Sequence, residues 1–152
     1  MITLSVFRLS KSPSVTVNAF GCHTNTIPGN SIRLPIGYFT LGPAYCANTP
    51  FEKYGMIYEN AWSAVKDLIA RCVSRGIGVL IDLHALPGGA NNGDHSGTNS
   101  GKAELWGSRK WLDLATRCLL FIAHEAKSID GVIGIQIVNE SEYNAKGKSQ
   151  NL

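Results

Sequence analysis

In Gly78-Val79-Leu80-Ile81-Asp82-Leu83-His84 an apolar run too short for a helix follows a glycine, and its polar side chains come only towards its end. Such a run, apolar on both faces, reads as a strand of a parallel sheet covered by helices. A helix is expected just before it, from about Tyr58 to Arg75, because Ala61, Val65, Leu68 and Cys72 recur at i, i+4, i+7 and i+11. Arg71 and Arg75 suit the negative end of that helix's dipole, and Gly76 is a natural stop. Upstream again, Ile32-Arg33-Leu34-Pro35-Ile36 reads as another short buried strand ended by Gly37, and residues 40–57, with Gly42, Pro43, Pro50 and Gly55, read as a loop.

The pattern repeats downstream. A loop from Ala85 to Gly107 carries glycines at 88, 89, 93, 97, 101 and 107. Ser108 can then N-cap a helix whose stripe is Trp111, Ala115, Cys118 and Ile122, ending near Lys127. Val132 to Val138 is a third strand. Residues 1–30, broken by Pro13, Gly21, Pro28 and Gly29, read as irregular, and 141–152 as a polar, frayed tail. The order strand, helix, strand, helix, strand predicts an α/β fold with right-handed crossovers, either an open doubly wound sheet or a (β/α) barrel.

Composition excludes several classes. The chain has 152 residues, 44% hydrophobic and 16% charged, as a single globular domain does. Its net charge of +3 comes from scattered residues, with no basic stripe for nucleic acid or an anionic membrane. No apolar run approaches the roughly 20 residues that span a bilayer. The first twenty residues hold no uninterrupted apolar stretch and make a poor signal peptide. Cys72 and Cys118 fall on helix stripes and read as small buried hydrophobes, while Cys22 and Cys46 can pair in an oxidising compartment.

The chemistry gathers where strands end: Arg33 in the first, Asp82 and His84 in the second, Asn139 and Glu140 after the third. Sites of both candidate architectures are built at that rim. Asp82 and His84, two apart, share a strand face. Asn139 and Glu140 are adjacent and serve one pocket only if the strand has ended or bulges there. Each residue also has a plain structural role to weigh: Arg33 as the ion-pair partner of Asp82, His84 as a hydrogen-bonded core histidine, Glu140 as an exposed carboxylate. Asp82, His84, Asp94, His95 and Glu140 are metal-ligand types without a close-spaced ligand motif, so a metal-dependent hydrolase on an open sheet is the weaker alternative. PGGANNGDHSG (87–97) lacks the spacing of a phosphate loop, and no G-x-S-x-G elbow occurs.

IRLPIGY (32–38), VLIDLHALPGGANNGDHSG (79–97) and IGIQIVNE (133–140), in this order, resemble glycoside hydrolase family 5, and most closely its fungal exo-β-1,3-glucanase-like branch. The resemblance covers roughly residues 31–147. It implies a (β/α)8 TIM barrel that hydrolyses β-glucan with retention, without metal or cofactor, of which strands two to four lie within 31–140. It implies Glu140 as general acid/base, Asn139 as the ligand of the sugar 2-hydroxyl, Arg33 and His84 as residues shaping the subsite, and Asp94 as a binder of sugar hydroxyls. In that branch D-N-S-G is usual, and His95 here replaces the Asn. Tyr38, Phe39, Trp106 and Trp111 are available to stack on a sugar.

The same resemblance sets out what else to expect. A full barrel takes eight strands and about 250 residues, so three strands amount to a partial barrel, and the family's strand-seven nucleophile has no counterpart here. A non-catalytic remnant that binds glucan is the alternative reading. Open sheet edges would favour self-association. Asn139-Glu140-Ser141 is a glycosylation sequon, so Asn139 is expected either to be folded away or to sit in a chain that is not secreted.

Overall fold

A computed structural model describes residues 30–98 and 100–142, together with the backbone of three short strands nearer the N-terminus. Those are β1 (Ser5–Phe7), β2 (Val15–Thr16) and β3 (Thr26–Ile27). Then follow β4 (Ser31–Gly37), the one-turn helix α1 (Pro43–Cys46), α2 (Ala61–Val73), β5 (Gly78–Ala85), α3 (Arg109–Ala126) and β6 (Val132–Gln136). β1, β4, β5 and β6 form one sheet in that order, while β2 and β3 pair separately as an antiparallel ribbon. β4, β5 and β6 run parallel, with Ile32 opposite Val79 and Ile81 opposite Ile135.

The alternation along β4 sorts its side chains. Ile32, Leu34 and Ile36 are buried, and Arg33 and Pro35 take the other face. Along β5, Val79, Ile81, Leu83 and Ala85 go to the helix side, leaving Leu80, Asp82 and His84 opposite. The helices meet one another: Trp62 of α2 and Phe121 of α3 pack edge to face at 5.3 Å, and Trp62 Nε1 donates to Glu125 Oε2 at 2.9 Å. Both helices therefore cover the same face. The near-continuous apolar runs led us to expect helices on both faces; instead the opposite face carries the polar residues.

Each helix stops where its sequence provides. Gly76 takes φ +70°, and the N–H groups of Gly76 and Ile77 bond back to Val73 O and Cys72 O. Ser108 Oγ accepts from the Trp111 N–H at the start of α3. The buried stripes differ in part from those expected. In α2, Trp62 and Ile69 join Val65 and Cys72, while Ala61 and Leu68 are only half-buried. In α3, Leu114 replaces Trp111 beside Ala115, Cys118 and Ile122. Burying a side chain such as Ile69 or Ile122 contributes roughly 1.5–3 kcal/mol.

Three further expectations change. The loop over 40–57 is replaced by tight structure: 3-10 turns at Tyr38–Leu41 and Glu52–Tyr58 flank α1, and α2 starts only at Ala61. β6 ends at Gln136, two residues short of Val138. The segment read as irregular contains β1, which pairs antiparallel with β4, Val6 opposite Ile32, so the β4 edge is not open. The far edge of β6 has no partner strand among the described residues, and Ile133 and Ile137 beside it are 58% and 62% exposed. Most of the expected frayed tail, from residue 143, lies outside the described residues.

Candidate active site

Three segments deliver side chains to the rim at the C-terminal ends of the parallel strands. β4 presents Arg33, and β5 presents Asp82 and His84 on one face, as their spacing requires. Beyond β6 the strand has indeed ended before Asn139. The chain turns, Glu140 takes a left-handed φ of +44°, and both residues line one cleft of about 890 Å³ with Arg33, His84 and His95.

Four of these residues close a ring. Arg33 Nη2 donates to Asn139 Oδ1 and stands 2.7 Å from Asp82 Oδ2. His84 Nδ1 is 2.7 Å from the same oxygen, and Asn139 Nδ2 is 3.3 Å from His84 Nε2. Asp82 is fully buried and Asn139 is 3% exposed. The ion pair of Arg33 with Asp82, the plain role weighed for that arginine, is present, and it is part of the site's construction. A carboxylate so deep in the fold needs such partners, because an uncompensated buried charge is strongly unfavourable. Asn139 is folded away, one of the two outcomes the sequon allows.

Glu140 is held differently. Its side chain is 70% exposed and meets His95 Nε2 at 3.2 Å. Its backbone is gripped from the glycine-rich loop: Asn91 Nδ2 donates to Glu140 O at 3.0 Å, and the Glu142 N–H donates to Ala90 O. Gly97 explains part of that loop's glycine content. It sits at φ +105°, and a Cβ there would lie 2.2 Å from Leu86 O. The loop is thus a packed brace for the 139–142 segment. Asn91 was missed from sequence, where it looked like one of many loop polar residues.

Asp94 is exposed and is not in the cleft wall, whereas its neighbour His95 is, with its ring 5.1 Å from that of His84. Of the four aromatics considered for stacking, Phe39 lines the cleft. Tyr38 is fully buried, and Trp106 donates its Nε1–H to Ala90 O. Trp111 lies half-buried under Lys110. Among the described residues no three His, Cys, Asp or Glu side chains converge to hold a metal.

The shifted ionisations lie on the helix side. Burial pushes the Cys118 thiol up to about 12 and the Tyr38 hydroxyl to about 12. Burial also raises Cys46 and Cys72. Cys46, Cys72 and Cys118 are free and buried, so the pairing considered for Cys46 is not formed; its thiol instead approaches Gly42 O at 3.7 Å. Cys22 lies outside the described residues.

No family model matches the sequence. The chain is 39% identical over 112 residues to glucan 1,3-beta-glucosidase 3 of Schizosaccharomyces pombe, covering 73% of this chain and 24% of that protein. It is 35% identical over 125 residues to an uncharacterized glycosyl hydrolase of Saccharomyces cerevisiae, covering 79% and 25%. The chain thus spans about a quarter of the length of the curated relatives it matches. Over most of its own length it is similar to glycosyl hydrolases. Its fold resembles the crystal structure of AoRut, with a TM-score of 0.57 at 20% identity over 77% of this chain and 31% of that one.

Proposed function

We propose that residues 31–140 form strands two to four of a family 5 (β/α)8 barrel, and that the rim belongs to a retaining β-glucan glycosidase. The single-sided helix cover supports the barrel, since right-handed crossovers that always step the same way leave the other face to become an interior. The observation that carries the function is Glu140 beside Asn139, on the rim shared with Arg33, Asp82 and His84.

In this reading Glu140 protonates the leaving glycosidic oxygen and later takes a proton from water. Its exposure and its place on the cleft wall leave it free to reach that oxygen. Asn139, fixed by the ring, holds the sugar 2-hydroxyl. Arg33 and His84 shape the subsite around it, Asp94 binds outer hydroxyls from the exposed loop, and Phe39 offers a stacking face. The relative named as a glucan 1,3-beta-glucosidase supports a β-1,3-glucan or its oligosaccharides as substrate. The β6 edge, without a partner strand among the described residues and with Ile133 and Ile137 exposed, supports self-association with a second copy.

A second reading, glucan binding without hydrolysis, is favoured by one observation. Retention needs two carboxyls about 5–5.5 Å apart, and among the described residues Glu140 is the one carboxylate lining the cleft. Sugar release from a soluble β-1,3-glucan by the purified chain, alongside Glu140→Gln, separates the two. Hydrolysis predicts release by the parent and a loss on the order of 100-fold or more in the variant. If neither releases sugar while oligosaccharide binding is retained, the binding reading replaces the hydrolytic one.

A further inference from the structure

We infer that Asp82 is a positioning residue which, through His84, fixes the orientation of the Asn139 amide and leaves one Nδ2 hydrogen of that amide to offer the cleft. The inference rests on the proposed function solely for the identity of the group that meets this donor.

The ring admits one consistent assignment of hydrogens. Arg33 has only donors, so the Asn139 atom it contacts is the carbonyl Oδ1. Asn139 therefore turns its Nδ2 toward His84, and Nδ2, also a pure donor, requires a bare acceptor at His84 Nε2, 3.3 Å away. The imidazole proton must then sit on Nδ1, facing Asp82 Oδ2 at 2.7 Å. That oxygen also receives Arg33 Nη2. The other carboxylate oxygen, Oδ1, is buried and has no hydrogen-bond partner among the described residues. All directed bonding by Asp82 thus passes through one atom, and the two groups it orders are the two that contact Asn139.

The consequence for recognition is specific. Asn139 Oδ1 accepts from Arg33, one Nδ2 hydrogen is taken by His84, and the other Nδ2 hydrogen remains. His84 has no N–H left for a ligand. A hydroxyl arriving at Asn139 Nδ2 therefore accepts there, and an ether or carbonyl oxygen meets the same donor. The sequence hinted at this through the two-residue spacing of Asp82 and His84, but the closure by Asn139 joins residues far apart in the chain.

The test is the 15N spectrum of the His84 ring in the full chain near neutral pH, read together with the Asn139 side-chain amide signals. The expected result is a pyrrole-type, protonated Nδ1 and a pyridine-type, bare Nε2. In Asp82→Asn the expected result is loss of the single Nδ1–H tautomer and displacement of the Asn139 amide signals. A parent ring protonated at Nε2 alone would overturn the inference, and this measurement needs no variant to fold. A folded Asp82→Asn that keeps both the tautomer and the amide signals would overturn it too, leaving Asp82 merely a partner of Arg33. Titration with a β-1,3-linked oligosaccharide is the separate arm. Absence of any perturbation there, with the tautomer as expected, counts against the proposed function and leaves the ring assignment standing.

Discussion

Asp82 is fully buried and holds two partners at 2.7 Å, whereas Glu140, on the same rim, is 70% exposed and meets its one side-chain partner at 3.2 Å. The first half of the site is a closed polar ring on strands, and the second is a carboxylate on a turn braced through its backbone. The difference teaches how the work is divided. Groups that orient a ligand are fixed before it arrives, because mobility there would weaken binding. In the proposed function, the group that exchanges protons with solvent and ligand is the one that stays wet and loosely held.

The sharpest way to break this contrast is Asp82→Ala. It leaves the Arg33 guanidinium, 18% exposed, without its counter-ion and should cost about 3–5 kcal/mol. Urea unfolding monitored by circular dichroism reads this directly, and a cost below about 1 kcal/mol would mean the ring is not what holds the rim.

Alkaline pH probes the packing behind both halves. Cys118 stays protonated in the fold up to about 12, against an ordinary value of 9.0. Between those values the unfolded chain binds fewer protons than the folded one. The contribution is therefore fully present below pH 9.0 and is lost as the pH rises toward 12. A fall of about 1 kcal/mol by pH 10 is expected in denaturant titrations. In Cys118→Ala that slope should flatten.

Glu140→Gly should instead stabilise. A left-handed backbone costs a non-glycine residue roughly 1–2 kcal/mol, only part of which is offset by glycine's freedom in the unfolded chain. A gain of up to about 1 kcal/mol, with abolished hydrolysis, would mark position 140 as strained for chemistry. No gain would mean that the brace from Asn91 and Ala90 already relieves the strain. The smallest effect is expected from His95→Ala, within about 0.5 kcal/mol and shrinking with added salt, since both partners are exposed.

Much of this was legible in the sequence where local rules operate. The strands at 32–36 and 78–84 sit within β4 and β5, and Gly76 and Ser108 mark their helix ends through backbone conformation and capping. The shared face of Asp82 and His84 follows from strand pleating alone. The parts that were not legible depend on neighbours distant in the chain. Trp62 meets Phe121 of α3, a partner distant in the chain, whereas Ile69 lies on a 62, 65, 69, 72 stripe that competes with the expected one at the same helical period. β1 exists only through its pairing with β4. His95 and Asn91 reach Glu140 only after a loop folds back across the rim, and the glycines that let it do so hide where it goes.

One edge of the sheet is capped by β1 and the other has no partner strand among the described residues, and this asymmetry limits assembly. Head-to-tail stacking needs a donor edge and an acceptor edge on every copy, and here the β4 side is already taken. Two copies related by a two-fold axis would instead lay β6 antiparallel against its twin and use up both bare edges at once. Association through the sheet backbone is therefore self-terminating: sedimentation should find growth ending at a pair, and no fibre.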